Sequence, residues 1–221
     1  MRIAVVGSGA VGQTFARGLK THGYDVRIAS RSPAKLAEFS KTTGVQASSP
    51  DAAAAWCEGA VLAVRGSSAE EAVREAGADN LAGKLVIDVT NPLSHEPPED
   101  GVVRVFTGPN ESLMERLQTA FPAIHFVKAF NSVGNAMMVN PDLPGGKPTM
   151  FYCGNDASAK KIVARIIDQF GYEGEDLGTA KAARVIEPRC QLWCIPGFLT
   201  GQWQHAFRLL RGSDLFSTDR A

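Results

Sequence analysis

A doubly wound α/β fold, with a mainly parallel sheet and a small helical portion at the C-terminus, is what this sequence predicts. Three observations lead there. The first is the opening stretch Met1-Arg-Ile-Ala-Val-Val-Gly-Ser-Gly-Ala-Val-Gly12, where an apolar β-branched run, Ile3 to Val6, opens into a glycine turn and then into helical spacing. The second is repetition, since apolar strand-length runs alternate with amphipathic helix-length segments through residue 178. The third is a change of character at Thr179, after which an aromatic-rich stretch runs on with few breaks. Residues 1–178 are therefore expected to form one sheet domain with an extension, and residues 179–212 a helical segment covering the cleft or a subunit interface.

Each glycine of the turn has a physical reason. Gly7 permits the sharp reversal, Gly9 lets the backbone approach a pyrophosphate, and Gly12 lets the helix pack closely on the strand. The N–H groups of the new helix, with the positive end of its dipole behind them, then face the diphosphate. Strand, turn and helix together read as a Rossmann-like dinucleotide site at Gly7, Ser8, Gly9, Ala10, Val11 and Gly12.

Bulk properties narrow the partners. Lysine plus arginine, 23, equals aspartate plus glutamate, 23, so no net field recruits nucleic acid or an acidic membrane surface. The N-terminus enters a strand without a signal-peptide pattern, and no apolar run approaches bilayer length, so a cytoplasmic location is expected. Cys57, Cys153, Cys190 and Cys194 lack zinc-type spacing and read as buried free thiols.

Taken in order, Ala10 to His22 is helical, with Gly23 as its stop. A strand follows at Asp25 to Ala29. Where an NAD-preferring fold carries an acid near the end of this strand, the chain reads Ser30-Arg31-Ser32, with Lys35 a turn further on. A hydroxyl and a guanidinium suit a 2′-phosphate, so NADPH is expected over NADH; the plainer reading of Arg31 is a solvated charge before Pro33. Pro33 to Lys41 is a helix, Val45 to Ala47 a short strand, Asp51 to Trp56 a helix and Ala60 to Val64 a buried strand. Val64 and Arg65 lie on the same sheet edge as the glycine turn, where Arg65 either borders the cofactor or is a loop charge. Ala69 to Gly77 is a helix and Leu85 to Val89 a strand, which delivers Asn91-Pro92 to that edge as a nicotinamide contact or as a simple terminator. His95 to Gly101 is an exposed excursion, possible as a lid. Glu111 to Ala120 is a helix with Asn110 as N-cap. Ile124 to Phe130 is a strand leading to Asn131-Ser-Val-Gly-Asn135, followed by a helical start at Ala136. Thr149 to Cys153, the helix Ala157 to Phe170 and Tyr172 to Leu177 extend the sheet. Two helices joined near Pro196 account for the tail, and Ser213 to Ala221 is expected to fray.

Several of these segments together resemble the coenzyme F420-dependent NADP oxidoreductase family, of which the reductase domain of the STEAP metalloreductases is a related version. They are Gly7 to Gly12, Ser30-Arg31 with Lys35, Asn91-Pro92, Val127-Lys-Ala-Phe-Asn131, and Asp176-Leu-Gly-Thr179 through Glu187-Pro188. The resemblance implies a homodimer in which hydride passes between NADP(H) and a flavin-like ring, coenzyme F420 or FMN/FAD, stacked on the nicotinamide. It places the diphosphate on the glycine turn and the 2′-phosphate on Ser30, Arg31 and Lys35. Asn131, Ser132, Val133 and Gly134 would border the nicotinamide and the small-molecule acceptor. Archaeal members carry a Gly-Gly-Thr-Gly type of turn where this chain has Gly7-Ser-Gly-Ala10.

No catalytic side chain is expected from the sequence. There is no Tyr-x-x-x-Lys pair, and His22, His95, His125 and His205 are scattered. Ring-to-ring hydride transfer needs none, because the cofactor carries the chemistry and the protein aligns two planar rings. Reduction of an imine or carbonyl would call for a positioned acid, and a non-catalytic NADPH sensor is a third reading. Lys128 is the one candidate base near the productive edge, or else the partner of a carboxylate.

Overall fold

The strand order of the sheet, β3-β2-β1-β4-β5-β6-β7-β8, sets everything else in the molecule. A computed structural model describes residues 1–212. Its strands are β1 (Arg2–Val6), β2 (Asp25–Ala29), β3 (Gln46–Ser48), β4 (Gly59–Leu62), β5 (Leu85–Asp88), β6 (His125–Lys128), β7 (Thr149–Gly154) and β8 (Glu173–Asp176). The helices are α1 (Ala10–Thr21), α2 (Ala37–Thr43), α3 (Pro50–Trp56), α4 (Ala69–Ala76), α5 (Ala78–Leu81), α6 (Leu113–Ala120), α7 (Ala157–Gln169), α8 (Ala183–Ile186) and α9 (Arg189–Thr200). Strands β3 to β6 run parallel through β1, and β7 joins β6 antiparallel before β8 resumes parallel to β7. This is the doubly wound Rossmann-like fold, and the direction in which successive strands are added reverses between β1 and β4, the switch point where such sheets open a crevice.

Side-chain alternation along β1 explains the two cores. Ile3 and Val5 face one side with Phe15, Leu19, Val163 and Phe170, while Ala4 and Val6 face the other with Leu62, Val86, Leu117 and Phe126. Helices therefore cover both faces, as a buried parallel sheet requires.

Several expected boundaries move. The segment from Pro33 begins as a 3-10 turn, Pro33–Leu36, before α2. Helix α6 starts at Leu113, with Ser112 and not Asn110 at its cap: the Ser112 Oγ accepts from the Glu115 N–H at 3.1 Å. The remaining free amides of that first turn, Leu113 and Met114, donate to the Glu187 carboxylate at 2.8 and 3.0 Å. A residue more than seventy positions away thus completes the cap.

The tail differs most. Its break falls at Glu187-Pro188, between α8 and α9, and Pro196 sits inside α9. The bond Pro196 cannot make would go to the carbonyl of Leu192, a residue 58% exposed, so water can take its place. Gly201, at φ 74°, ends α9 in the left-handed conformation. Residues 202–212 then fold back as irregular chain instead of a second helix. Trp203 packs on the bare backbone of Gly197, Trp193 Nε1 donates to the His205 carbonyl at 3.0 Å, and the Thr149 amide donates to the Phe207 carbonyl at 2.8 Å. The four cysteines are buried free thiols. The expectation for Ser213 to Ala221 lies outside the described residues. Among the described residues no helix is long and apolar enough to cross a membrane.

Candidate active site

The C-terminal ends of β1, β4 and β5 enclose a cavity of about 700 Å³. Gly7, Ser8, Gly9, Ala10 and Val11 form its floor, Ala63 to Ser67 one wall, and Val89, Thr90, Asn91, Leu93, Ser94 and His95 the other. The turn is held open by contacts that admit no side chain. A Cβ on Gly7, whose φ is +127°, would lie 2.1 Å from the Ala63 carbonyl oxygen, and one on Gly12 would lie 2.0 Å from the Gly7 oxygen. Gly9 is the opposite case: a Cβ there would meet nothing within 4 Å. Its bare face opens onto the cavity, as a seat for a phosphate group requires.

Across the turn lies a smaller recess of about 280 Å³. Ser8, Ser30, Arg31, Ser32, Lys35, Val64 and Glu75 line it, so the predicted Ser30, Arg31 and Lys35 come together. The Ser8 hydroxyl donates to the Ser30 Oγ at 3.3 Å, and the Ser32 amide donates to the same oxygen at 3.1 Å, tying the end of β2 to the glycine turn.

Not every predicted residue faces the cavity. Gly12 sits behind the turn as a packing residue, and Pro92 is buried. Asn131 is 4% exposed and forms a layer behind Asn91: Asn91 Nδ2 donates to the Asn131 carbonyl at 2.6 Å, and Asn131 Nδ2 donates to Asn91 Oδ1 at 2.9 Å and to the Ile186 carbonyl at 3.0 Å. Beyond it, Ser132 accepts from Arg189 at 2.6 and 3.1 Å, Val133 is buried, and Gly134 lies under the Trp193 ring. The Asn131–Gly134 turn is thus covered by α9. Phe130, the residue before it, holds a left-handed φ of 58°. Edge-on contacts with Phe15, Phe170 and Tyr172, with ring centroids 5.1 to 6.0 Å apart, lock that conformation.

Under this edge lies a buried charge network. The parallel register sets Asp88 beside Lys128, and Lys128 Nζ reaches Asp88 Oδ2 at 2.7 Å, Glu187 Oε1 at 2.9 Å and the Thr90 carbonyl at 2.9 Å. Burial pushes the ammonium toward neutrality, but the two carboxylates outweigh it and hold the pKa above the usual lysine value. Lys128 is therefore the carboxylate partner of the two sequence readings, a fixed cation and not a base.

Residues that sequence reasoning missed include Thr90, Ser94, His95 and Glu75. Three of them follow β5, on the edge already identified, and that position was the available signal. Glu75 lies in a helix, and only the folded chain brings it to the recess.

Residues 2–92, covering the turn, the recess and the wall at Asn91, match the model of the family described as NADP oxidoreductase, coenzyme F420-dependent. A crystal structure from Arthrobacter sp. FB24, of a protein provisionally named an F420-dependent NADP-reductase, superimposes with a TM-score of 0.89 at 34% identity, covering 96% of this chain and 100% of that one. The chain belongs to the coenzyme F420-dependent NADP oxidoreductase family. As a member of this family it is an NADP-dependent oxidoreductase. Metalloreductase STEAP3 of Rattus norvegicus is 27% identical over 186 residues, 84% of this chain; the chain spans 36% of the length of that curated relative. An imine reductase from Myxococcus stipitatus, 14% identical with a TM-score of 0.67 over 90% of this chain and 62% of its own, shares the fold.

Proposed function

We propose that this oxidoreductase moves hydride between NADPH and a flavin-like acceptor, coenzyme F420 or a flavin, by direct ring-to-ring transfer. The observation that carries the reading is the cavity itself: its volume falls in the range of small-molecule sites, and it is walled mostly by backbone and small side chains. Such a slot suits planar rings laid face to face. NADPH supplies the hydride when bound. The chain's own residues bind, orient and exclude water: Gly7 to Val11 present backbone N–H groups to the diphosphate, and Ser30, Arg31 and Lys35 take the 2′-phosphate. Val64, Arg65 and Asn91 shape the walls around the coenzyme, with Pro92 buried beside Asn91. Asn131 acts through Asn91, holding the strand end in place, with Ser132, Val133 and Gly134 bracing that turn against α9.

Anaerobic mixing with NADPH tests the reading, with coenzyme F420, FMN and FAD offered in parallel while nicotinamide and acceptor absorbance are followed. Rapid stoichiometric reduction of one acceptor is the expected result. Reduction of a cyclic imine with none of the three rings reduced would replace it with the imine reductase reading that the shared fold keeps in view, and His95 would then be the first proton donor to test. NADPH binding without turnover of any acceptor would favour a sensor.

Coenzyme preference has its own test. Arg31→Ala removes a charge-assisted contact of about 1.5–3 kcal/mol, so the NADPH-to-NADH affinity ratio should fall roughly 10- to 100-fold. An unchanged ratio in fluorescence titrations would remove Arg31 from the site. A homodimer is part of the same proposal, supported by the apolar side chains Val185, Leu192 and Leu199 exposed on α8 and α9.

A further inference from the structure

The recess beside the glycine turn contains one carboxylate among its cations. Arg31 Nη1 lies 3.7 Å from Glu75 Oε1, with the two side chains 75% and 35% exposed, so the pair spans the recess from the end of β2 to the last turn of α4. Glu75 has no local reason to be acidic. It sits at the C-terminal end of its helix, where the dipole disfavours a negative charge, and one turn before it stands Glu71, a like charge. The basic residue of that turn, Arg74, is engaged by Glu70. Among the described residues Arg31 is the one cation paired with Glu75. An exposed pair at this separation contributes little to the fold.

We propose that Glu75 determines coenzyme specificity by competing with the 2′-phosphate for Arg31. This rests on the reading that the recess takes that phosphate. In the free protein Glu75 holds the guanidinium across the recess. On binding, Arg31 turns to the phosphate and leaves the carboxylate beside a dianion. NADPH is then held less tightly than the cations alone would hold it, and NADH, which carries no 2′-phosphate, escapes the repulsion. Glu75 thereby sets the ratio of the two affinities.

Calorimetric titration of the full-length protein with NADP+ and NAD+, at 0.05 and 0.5 M NaCl, tests this in wild type, Glu75→Gln and Arg31→Ala. E75Q is expected to bind NADP+ about three- to tenfold more tightly at low salt, with NAD+ within twofold of wild type. The gain should shrink at 0.5 M NaCl, where charges more than about 4 Å apart are screened. Unchanged or weaker NADP+ binding by E75Q overturns the proposal, as does an equal change for both dinucleotides. Loss of NAD+ affinity alone overturns it too, by making Glu75 a ribose-hydroxyl acceptor. The R31A arm separates the two levels: a collapsed preference in R31A with no effect of E75Q defeats only the competition, whereas an unchanged preference in R31A defeats the phosphate reading beneath it.

Discussion

Lys128→Met is expected to lower the unfolding free energy by about 3–5 kcal/mol in urea titrations, a large fraction of a domain's stability. The reason lies in what the substitution leaves behind. Asp88 is 0% and Glu187 1% exposed, and both face Lys128 Nζ within 3 Å. Asp88 keeps the Thr90 amide and hydroxyl, at 2.9 and 2.6 Å, and Glu187 keeps two amides of α6, but neither keeps a counter-charge. Two uncompensated carboxylates in a dry interior cost more than the ion pairs contribute when present. Combining K128M with Asp88→Asn and Glu187→Gln should therefore recover most of the loss. A deficit below about 1 kcal/mol in K128M would mean that the network does not hold the tail to the sheet. The pH dependence follows from the raised pKa of Lys128. A group protonated more tightly in the folded state contributes fully below its unfolded pKa, about 10.4 for lysine, and loses its contribution as pH climbs through the folded value. The contribution of Lys128 to wild-type stability should thus hold constant from pH 6 to pH 9 and decline only in stronger alkali, whereas K128M, with two buried carboxylates that desolvation makes easier to protonate, should recover part of its loss as pH falls.

The network also shows where sequence reading stops. The strands and the sheet edge that carries the cavity were legible because periodicity and turn residues are local: Ile3 to Val6, Val61 and Ile87 mark buried strands by their own composition. Gly7 to Gly12 and Ser30-Arg31 were legible because one motif fixes their neighbours. Glu187 was not, since its partners in β6 and the first turn of α6 come from two separate stretches, and nothing near Glu187 announces a cap more than seventy residues away. The tail is hard to read from sequence for a similar reason. Pro196 reads as a break by its missing N–H, yet the carbonyl it abandons belongs to an exposed residue, and the break falls instead at Glu187-Pro188, where Glu187 meets Lys128. Asn131 was found on the right edge but one layer too deep, because the Asn91 side chain that faces it is also an amide and pairs with it.

Gly9→Ala and Gly12→Ala, three residues apart in one motif, are expected to fail in opposite ways. In Gly12 a new Cβ would lie 2.0 Å from the Gly7 oxygen and 2.9 Å from its carbonyl carbon. Both are backbone atoms of the strand–helix joint, so no side chain can swing aside, and α1 must move off β1. A stability loss of about 3 kcal/mol or more is expected, with binding lost alongside. In Gly9 the same Cβ meets nothing, and the φ of −74° and ψ of −177° suit alanine as well as glycine. The free protein should lose no more than about 1 kcal/mol, the cost of alanine at a helix N-cap. What alanine takes away is the bare surface against which a diphosphate would rest, so NADPH affinity should fall on the order of 100-fold, about 2.7 kcal/mol. Urea denaturation and NADPH titration of both variants check the pair. Wild-type affinity in G9A would remove the diphosphate from this turn, whereas full stability with lost binding would assign Gly9 to the ligand and Gly12 to the fold.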